Sequence, residues 1–293
     1  MTRPYFAEYA PLLKTSKIFQ FRRGVALAEP SFSFDRFFME KDERHEKLYF
    51  YIKQLCDTAR MAGKQPVLKF ARSQGRFSWL AAHFPDYTHA LLIRQPWTQF
   101  RSGWRCMVEG ENPYFVAVPF LLLERNIATP DVAALVQALD LPVRPSFGPP
   151  IRTLKYWVSM ARRIDAITLY KASFALWLLN IAHALPEAAL VLDGDGPLAE
   201  MLAPFGLEAG ARQRPHPGTF NLRPLMNVAA IRSCHDKAVA ALAYRLDPIL
   251  KNRLEYWLSA AEAQAARDLA VHVQMRALAP VTGFLHRAAD AVR

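Results

Sequence analysis

Two residues suited to binding an anion, Arg94 and Ser102, lie eight positions apart. Arg94 follows the apolar run Leu91–Ile93, which reads as a buried strand. Pro96 stands where a first helical turn would begin, so Ser102 falls in the second turn of a helix. A guanidinium offers paired N–H donors to a phosphate or sulfate, and free backbone N–H groups at a helix start add to them. The pattern predicts an anion site; the alternative is that Arg94 pairs with a local carboxylate and Ser102 is an ordinary helical serine.

A second basic segment, Arg72-Ser-Gln-Gly-Arg76, has the position of a phosphate-binding loop. It follows the apolar run Pro66–Phe70, which we predict to be a strand, and precedes a predicted helix at about 76–83. It has one glycine and no lysine followed by serine or threonine, so it does not match a Walker-type loop. We predict that it brings positive charge to the mouth of the Arg94 pocket; the alternative is a solvated turn with two arginines.

The remaining elements alternate between short apolar runs and helical periodicity. Two strands joined through a helix, at 66–70 and 89–93, suggest a βαβ unit and therefore a parallel sheet. Leu190–Asp193 is predicted to be a third strand, and the Asp193-Gly-Asp195 turn after it could touch a ligand or a metal, although acidic turns after strands are common. Helices are predicted at 41–62 with a stop at Gly63, 96–108, 114–126, 130–139 and 151–185, followed by two or three helices after residue 208.

The Arg-x₇-Ser spacing after an apolar strand resembles the 3′-phosphate-binding motif of sulfotransferases that use 3′-phosphoadenosine 5′-phosphosulfate (PAPS). The order of the segments Pro66–Arg76, Trp79-Leu80, Phe84-Pro85 and Ile93–Pro96 is similar to that in bacterial members of this superfamily. The resemblance implies an α/β fold with a P-loop-kinase-like three-layer core, a short parallel sheet and a helix-rich C-terminal half. It also implies that Arg94 and Ser102 hold the 3′-phosphate, while Lys69 and Arg72 line the transfer site as catalytic candidates.

Two parts of the family pattern have no match in this chain. Sulfotransferases hold the 5′-phosphosulfate with a loop of lysine or arginine, serine, glycine and threonine, and no such unit precedes Pro4. We therefore expect the core to be incomplete at the N-terminus. Many members place a histidine two residues after the lysine that matches Lys69, but this position is Ala71. The general base is therefore left open, with a carboxylate such as Glu8 as one candidate.

The expected activity is transfer of a sulfuryl group from PAPS to a hydroxyl or amine of a small molecule or saccharide, without a metal. One alternative is a catalytically inactive remnant that binds an anion or nucleotide. We divide the chain into an α/β domain, 1–208, and a basic helical region, 209–293, packed on it. This region has twelve basic and six acidic residues. Nucleic-acid binding through this region is a second alternative, which the lack of interleaved aromatic and basic residues disfavours.

The composition favours an anionic ligand but does not identify which one. The formal charge is +11 and the isoelectric point is near 9.7, which favours negatively charged partners. Three cysteines without paired spacing predict neither disulfides nor a zinc site. The N-terminal residues lack a signal-peptide pattern, and the most apolar segment, 173–192, is broken by polar residues. We therefore expect a cytoplasmic protein with no membrane span.

Overall fold

The computed structural model describes residues 28–70, 73–146, 148–197, 203–205 and 227–290, with side chains of the last helix as far as residue 270. This part of the chain is an α/β structure with many helices and one sheet of two parallel strands. None of the described helices is long and apolar enough to cross a membrane. The elements are α1 (Glu46–Met61), α2 (Phe77–His83), β1 (Ala90–Ile93), α3 (Pro96–Val108), α4 (Tyr114–Arg125), α5 (Pro130–Ala138), α6 (Pro150–Met160), α7 (Ala166–Ala184), β2 (Leu190–Asp193), α8 (Val228–Ala241) and α9 (Pro248–Asp290).

Local signals explain several helix ends. Helix α1 stops two residues before Gly63, which has a φ of +66°, a conformation that glycine adopts without strain. The Gly63 N–H donates to the Arg60 carbonyl at 2.9 Å and the Lys64 N–H donates to the Ala59 carbonyl at 2.9 Å, which is the Schellman pattern. Helix α3 begins at Pro96, as predicted, because proline at this position needs no N–H partner.

Helix α7 is the centre of the core, and most of its residues are buried. The sequence predicted one helical stretch over 151–185, but the chain forms two helices with a break between Met160 and Ala166. The reason is Asp165, whose carboxylate accepts the Thr168 N–H at 2.9 Å and caps a new helix there. Helices α3, α4, α5 and α8 all contact α7.

The sheet differs from the prediction. Strand β1 pairs in parallel with β2, in a register from Ala90 opposite Leu190 to Ile93 opposite Asp193. The predicted strand Pro66–Phe70 is wrong: these residues are in no strand, and Val67 is 87% exposed. An apolar run forms a strand only where a neighbouring backbone pairs with it, and within the described residues β1 is paired with β2.

Arg76 is buried rather than lying at the mouth of a pocket, so the prediction that both arginines of the loop supply charge there is wrong for this residue. Its side chain is 1% exposed, and its guanidinium donates to three backbone carbonyls. Nη2 donates to Asp35 at 2.6 Å, Nε donates to Arg36 at 2.9 Å and Nη1 donates to Phe32. Burial lowers the Arg76 pKa to about 10, so the group keeps its charge at neutral pH.

The glycine of the same loop lets the segment before α1 pass closely over it. A Cβ on Gly75 would lie 2.6 Å from the Phe38 ring and 2.7 Å from the Phe37 carbonyl oxygen. The Met39 N–H donates to the Gly75 carbonyl at 3.0 Å. Asn126 fixes the segment from the other side, because its Oδ1 accepts the Phe37 N–H at 2.8 Å. The loop is therefore part of the scaffold.

The C-terminal helices are joined to α7 and α3 by buried polar contacts. On α8, His235 Nε2 lies 2.7 Å from the Tyr170 hydroxyl and Nδ1 lies 3.0 Å from a carboxylate oxygen of Glu262 on α9. A neutral imidazole satisfies both contacts if Nδ1 donates and Nε2 accepts. Asp268 of α9 accepts from the Trp97 indole at 2.7 Å and from Arg101 at 3.0 Å. The predicted boundary at residue 208 lies outside the described residues.

We expect Arg76→Leu to lower the free energy of unfolding by about 3 kcal/mol, because three backbone carbonyls would lose their donor. Urea denaturation followed by circular dichroism measures this change. Arg253→Leu on the exposed side of α9 is the control and should change stability by less than about 0.5 kcal/mol. Equal effects of the two substitutions would show that Arg76 has no special structural role.

We expect the protein to lose stability as the pH falls below about 6.5, in part through His235. Burial lowers the His235 pKa in the folded protein below 6.5, although Glu262 opposes this. Below the ordinary pKa of histidine the unfolded chain therefore binds a proton that the folded protein does not. Urea unfolding at a series of pH values should give a shallower pH dependence for His235→Gln than for the unaltered protein. Identical slopes would contradict this account.

Candidate functional site

Arg94 and Asp195 meet at the edge of the sheet, because parallel strands bring their carboxyl ends together. Arg94 follows β1 directly, and its Nε donates to Asp195 Oδ1 at 3.0 Å. The other carboxylate oxygen, Oδ2, accepts the backbone N–H of Gln95 at 2.6 Å. The Asp195 N–H in turn donates to Asp193 Oδ1 at 2.8 Å, which holds the turn after β2. Arg94 thus pairs with a carboxylate that is distant in sequence.

Gly194 provides the space in which the Arg94 side chain lies. A Cβ at this position would be 2.7 Å from Arg94 Cγ and 3.1 Å from the Ile93 carbonyl oxygen. The Gly194 N–H donates to that same carbonyl at 2.7 Å. A residue without a side chain is therefore needed here for the guanidinium to reach Asp195 in this conformation.

Helix α7 fixes the backbone of Arg94. The indole N–H of Trp177 donates to the Arg94 carbonyl at 2.8 Å, and Trp177 is buried. This contact satisfies a carbonyl at the point where β1 ends and α3 has not yet begun. The start of the guanidinium side chain is thus held by β1, α7 and the turn after β2.

A cavity of about 220 Å³ opens beside this arrangement, and Arg94 and Ser102 both line it. The two residues singled out from the sequence therefore share one cavity. Within the described residues the Nη atoms of Arg94 and the Ser102 hydroxyl have no hydrogen-bond partner in the protein. The cavity is lined by Arg94, Pro96, Gln99, Phe100, Ser102, Gly103, Cys106, Phe115, Val116, Pro119, Ser173, Leu176 and Trp177.

Among the described residues, the wall of the cavity combines one cation, Arg94, with mostly apolar side chains. Phe115 is half exposed, whereas Phe100 and Trp177 are buried. Ser173 donates its hydroxyl to the Leu169 carbonyl at 3.0 Å, so it can act only as an acceptor towards a ligand in this arrangement. Sites for a whole small-molecule ligand measure about 300–1,000 Å³, so this smaller cavity suits an anionic group with one attached ring.

The other predicted site residues do not join this cavity. Lys69 is exposed and is not part of its wall. Arg72 and Glu8 lie outside the described residues. Arg76 is buried in the scaffold, as described for the fold. Among the residues with described side chains, no group of three or more histidine, cysteine or acidic residues lies close enough to hold a metal ion.

Sequence reasoning did not identify the partners of Arg94. The turn containing Asp195 was considered only as a possible contact for a ligand or a metal, and Trp177 was given no role. Their roles depend on β1 pairing with β2 and on α7 crossing the strand end. The one available signal was the position of Asp195 just after a predicted strand, because polar residues after parallel strands gather at one edge of a sheet.

Comparisons with family models, with curated proteins and with solved structures found no match. The resemblance to sulfotransferases therefore stays a prediction from the motif, and the geometry around Arg94 is an independent observation.

We expect Gly194→Ala to displace the Arg94 side chain, whereas Gly196→Ala should not. A Cβ on Gly196 would meet its nearest neighbour, the Asp193 carbonyl oxygen, at 3.4 Å, which is an ordinary contact. An ¹H–¹⁵N spectrum of arginine Nε–H groups measures the difference, with the Arg94 signal assigned through Arg94→Lys. Hydrogen bonding to Asp195 slows exchange of this proton with water, so its signal should weaken in Gly194→Ala only. An unchanged signal in both variants would contradict the expectation.

Proposed function

We propose that the protein binds a 3′-phosphorylated adenosine nucleotide at the Arg94 cavity and acts as a sulfotransferase that takes its sulfuryl group from PAPS. The observation that carries the proposal is that Arg94 and Ser102, the residues of the Arg-x₇-Ser motif, line one cavity beside the carboxyl ends of two parallel strands. Ligands of open α/β sheets bind at such strand ends. A P-loop-kinase-like core with three layers is the finer fold that accompanies this proposal.

The contacts available in the cavity suit a phosphate group. The Arg94 Nη atoms are two donors in one plane, and the Ser102 hydroxyl is a third. Asp195 takes Nε and so holds the guanidinium in one orientation while leaving these donors available. The apolar wall formed by Phe100, Phe115 and Trp177 can cover the ring attached to the phosphate. The rest of the nucleotide would extend out of the cavity.

In the proposed reaction the acceptor oxygen or nitrogen forms a bond to sulfur as the bond from sulfur to the bridging phosphate oxygen breaks. The acceptor proton passes to a base, and negative charge develops on the departing phosphate. Lys69 and Arg72 are the candidates for stabilising that charge. Their basic side chains cannot serve as the proton acceptor while they are charged, so the base is a separate group.

A second candidate is a protein that binds the nucleotide, or another anion, without transferring a sulfuryl group. The composition of the cavity favours it: among the described residues, the wall contains no aspartate, glutamate or histidine that could accept a proton. Lys69 also lies outside the wall, although it is exposed and available to a ligand that extends from it. The two candidates share the binding step and differ in turnover.

We expect adenosine 3′,5′-bisphosphate, the product left by PAPS, to bind the unaltered protein, with Arg94→Ala lowering the affinity about 100-fold and Ser102→Ala about fivefold. The larger loss follows from removing a charged bidentate donor, and the smaller one from removing a neutral donor. Isothermal titration calorimetry measures both. Arg253→Ala and Ser159→Ala, at exposed positions outside the cavity, are the matched controls and should bind normally.

The same titration separates the possible outcomes. No binding by the unaltered protein, or equal losses in the controls, would sink the proposed nucleotide site. Incubation with radiolabelled PAPS and a mixture of hydroxyl and amine acceptors then distinguishes the two candidates. Labelled product that disappears in Lys69→Ala, with the bisphosphate still bound, supports the enzyme. Binding without any labelled product supports the second candidate.

A further inference from the structure

Helix α6 presents a basic surface that the proposed nucleotide site does not use. We call the exposed side chains Ile151, Arg152, Lys155 and Tyr156, together with Arg162 and Arg163 just beyond the helix end, the α6 face. They alternate with buried side chains at helical spacing, so they point away from the core. The side chains of the α6 face are therefore exposed to solvent.

The opposite side of α6 is firmly packed. Trp157 is 4% exposed, stacks on Phe120 at a centroid distance of 4.6 Å and donates its indole N–H to Glu124. Leu154 is buried beside it. Because the packing contacts of α6 are made by its inner side, its outer residues are not needed for folding and can serve another role.

The charge of this region is unusually one-sided. From Leu141 to Ile164 the sequence has five basic residues and no acidic one. Among the described residues, Arg152, Lys155 and Arg163 form no ion pair with a carboxylate. Ordinary surface helices mix both signs. A face with uncompensated positive charge favours a negatively charged partner.

The acidic residues that the described contacts place beside α6 lie at its end or on its packed side, where Glu124 accepts the Trp157 indole N–H. Arg162 donates to the backbone carbonyl of Glu111 at 3.1 Å, which places that residue beside the end of the helix. The Asp165 carboxylate is engaged in capping α7. The middle of the face, around Lys155, keeps its positive charge.

Two exposed apolar side chains favour a lipid surface over a soluble acidic polymer as the anionic partner. Ile151 is 58% exposed and Tyr156 is 53% exposed, and they lie on the same side of the helix as Arg152 and Lys155. A soluble acidic polymer would be held by the charges and would leave these groups in water. A lipid surface offers anionic headgroups for the arginines and an apolar boundary region for the isoleucine and the tyrosine ring.

We propose that the α6 face binds the surface of an anionic lipid bilayer, with α6 lying in the plane of the headgroups. Each basic side chain near such a surface raises the binding constant about fivefold. Binding is reversible and weakens with salt, because the charges act through water. This inference stands apart from the nucleotide site and does not need it.

The test is co-sedimentation of the full chain with vesicles of phosphatidylcholine alone and of phosphatidylcholine mixed with phosphatidylserine. We expect binding to the mixed vesicles only. The pair Arg152→Glu and Lys155→Glu should lower the binding constant by at least about 25-fold. The double substitution Ile151→Ser and Tyr156→Ser should lower the binding constant by a smaller factor. This factor should be the same at high salt, because the lost contacts are apolar. All four positions are exposed, so circular dichroism should show an unchanged fold.

A matched control makes the same charge change elsewhere. Lys251→Glu with Arg253→Glu, both exposed on α9, should keep most of the binding. The proposal is overturned if the unaltered protein ignores phosphatidylserine, or if the α9 pair loses as much as the α6 pair. It is also overturned if dextran sulfate competes fully and the Ile151 and Tyr156 pair binds vesicles normally, because the partner would then be a soluble acidic polymer.

Discussion

The buried positive charge of Arg76 constrains the segment that precedes α1. A guanidinium removed from water is tolerated only if its N–H groups find acceptors, and here the acceptors are backbone carbonyls between Phe32 and Arg36. That requirement turns the segment inward and places Phe37 and Phe38 over Gly75. The turn containing Arg76 also contacts α7. One cation thus connects the segment before α1 to the central helix.

Two arginines that look alike in sequence have opposite surroundings in the fold. Arg76 is enclosed by carbonyls, which consume its donors, whereas Arg94 gives only Nε to Asp195 and leaves its Nη atoms beside a cavity. The difference comes from their hydrogen-bond partners. Backbone carbonyls hold the Arg76 guanidinium in place, whereas one carboxylate binds a single edge of the Arg94 guanidinium and orients it. A basic loop is therefore a weak sign of an anion site unless the side chain also ends at an open surface.

The sequence correctly predicted the helix ends and the strand that are determined by residues close together in the chain. Pro96 marked the start of α3, Gly63 the end of α1, and Leu190–Asp193 the second strand. The failures share a cause, which is dependence on distant parts of the chain. Pro66–Phe70 has the composition of a strand but no pairing backbone, and the role of Arg76 needed the position of residues some forty places earlier. In the same way, helix geometry was enough to predict that Ser102 lies near Arg94. The contacts of Asp195 and Trp177 with Arg94 depend on the tertiary structure and could not be predicted from the sequence.

The parallel pairing of β1 with β2 has a consequence for how the protein is made. Arg94 and Asp195 are 101 residues apart, and everything from α3 to α7 lies between them. Contacts of such separation form late, since the intervening loop must close before they stabilise anything. By the time Trp177 leaves the ribosome, all the described residues that line the cavity have been synthesised. Arg94 then gains its fixed orientation only after β2 has followed, because Asp195 lies just beyond that strand.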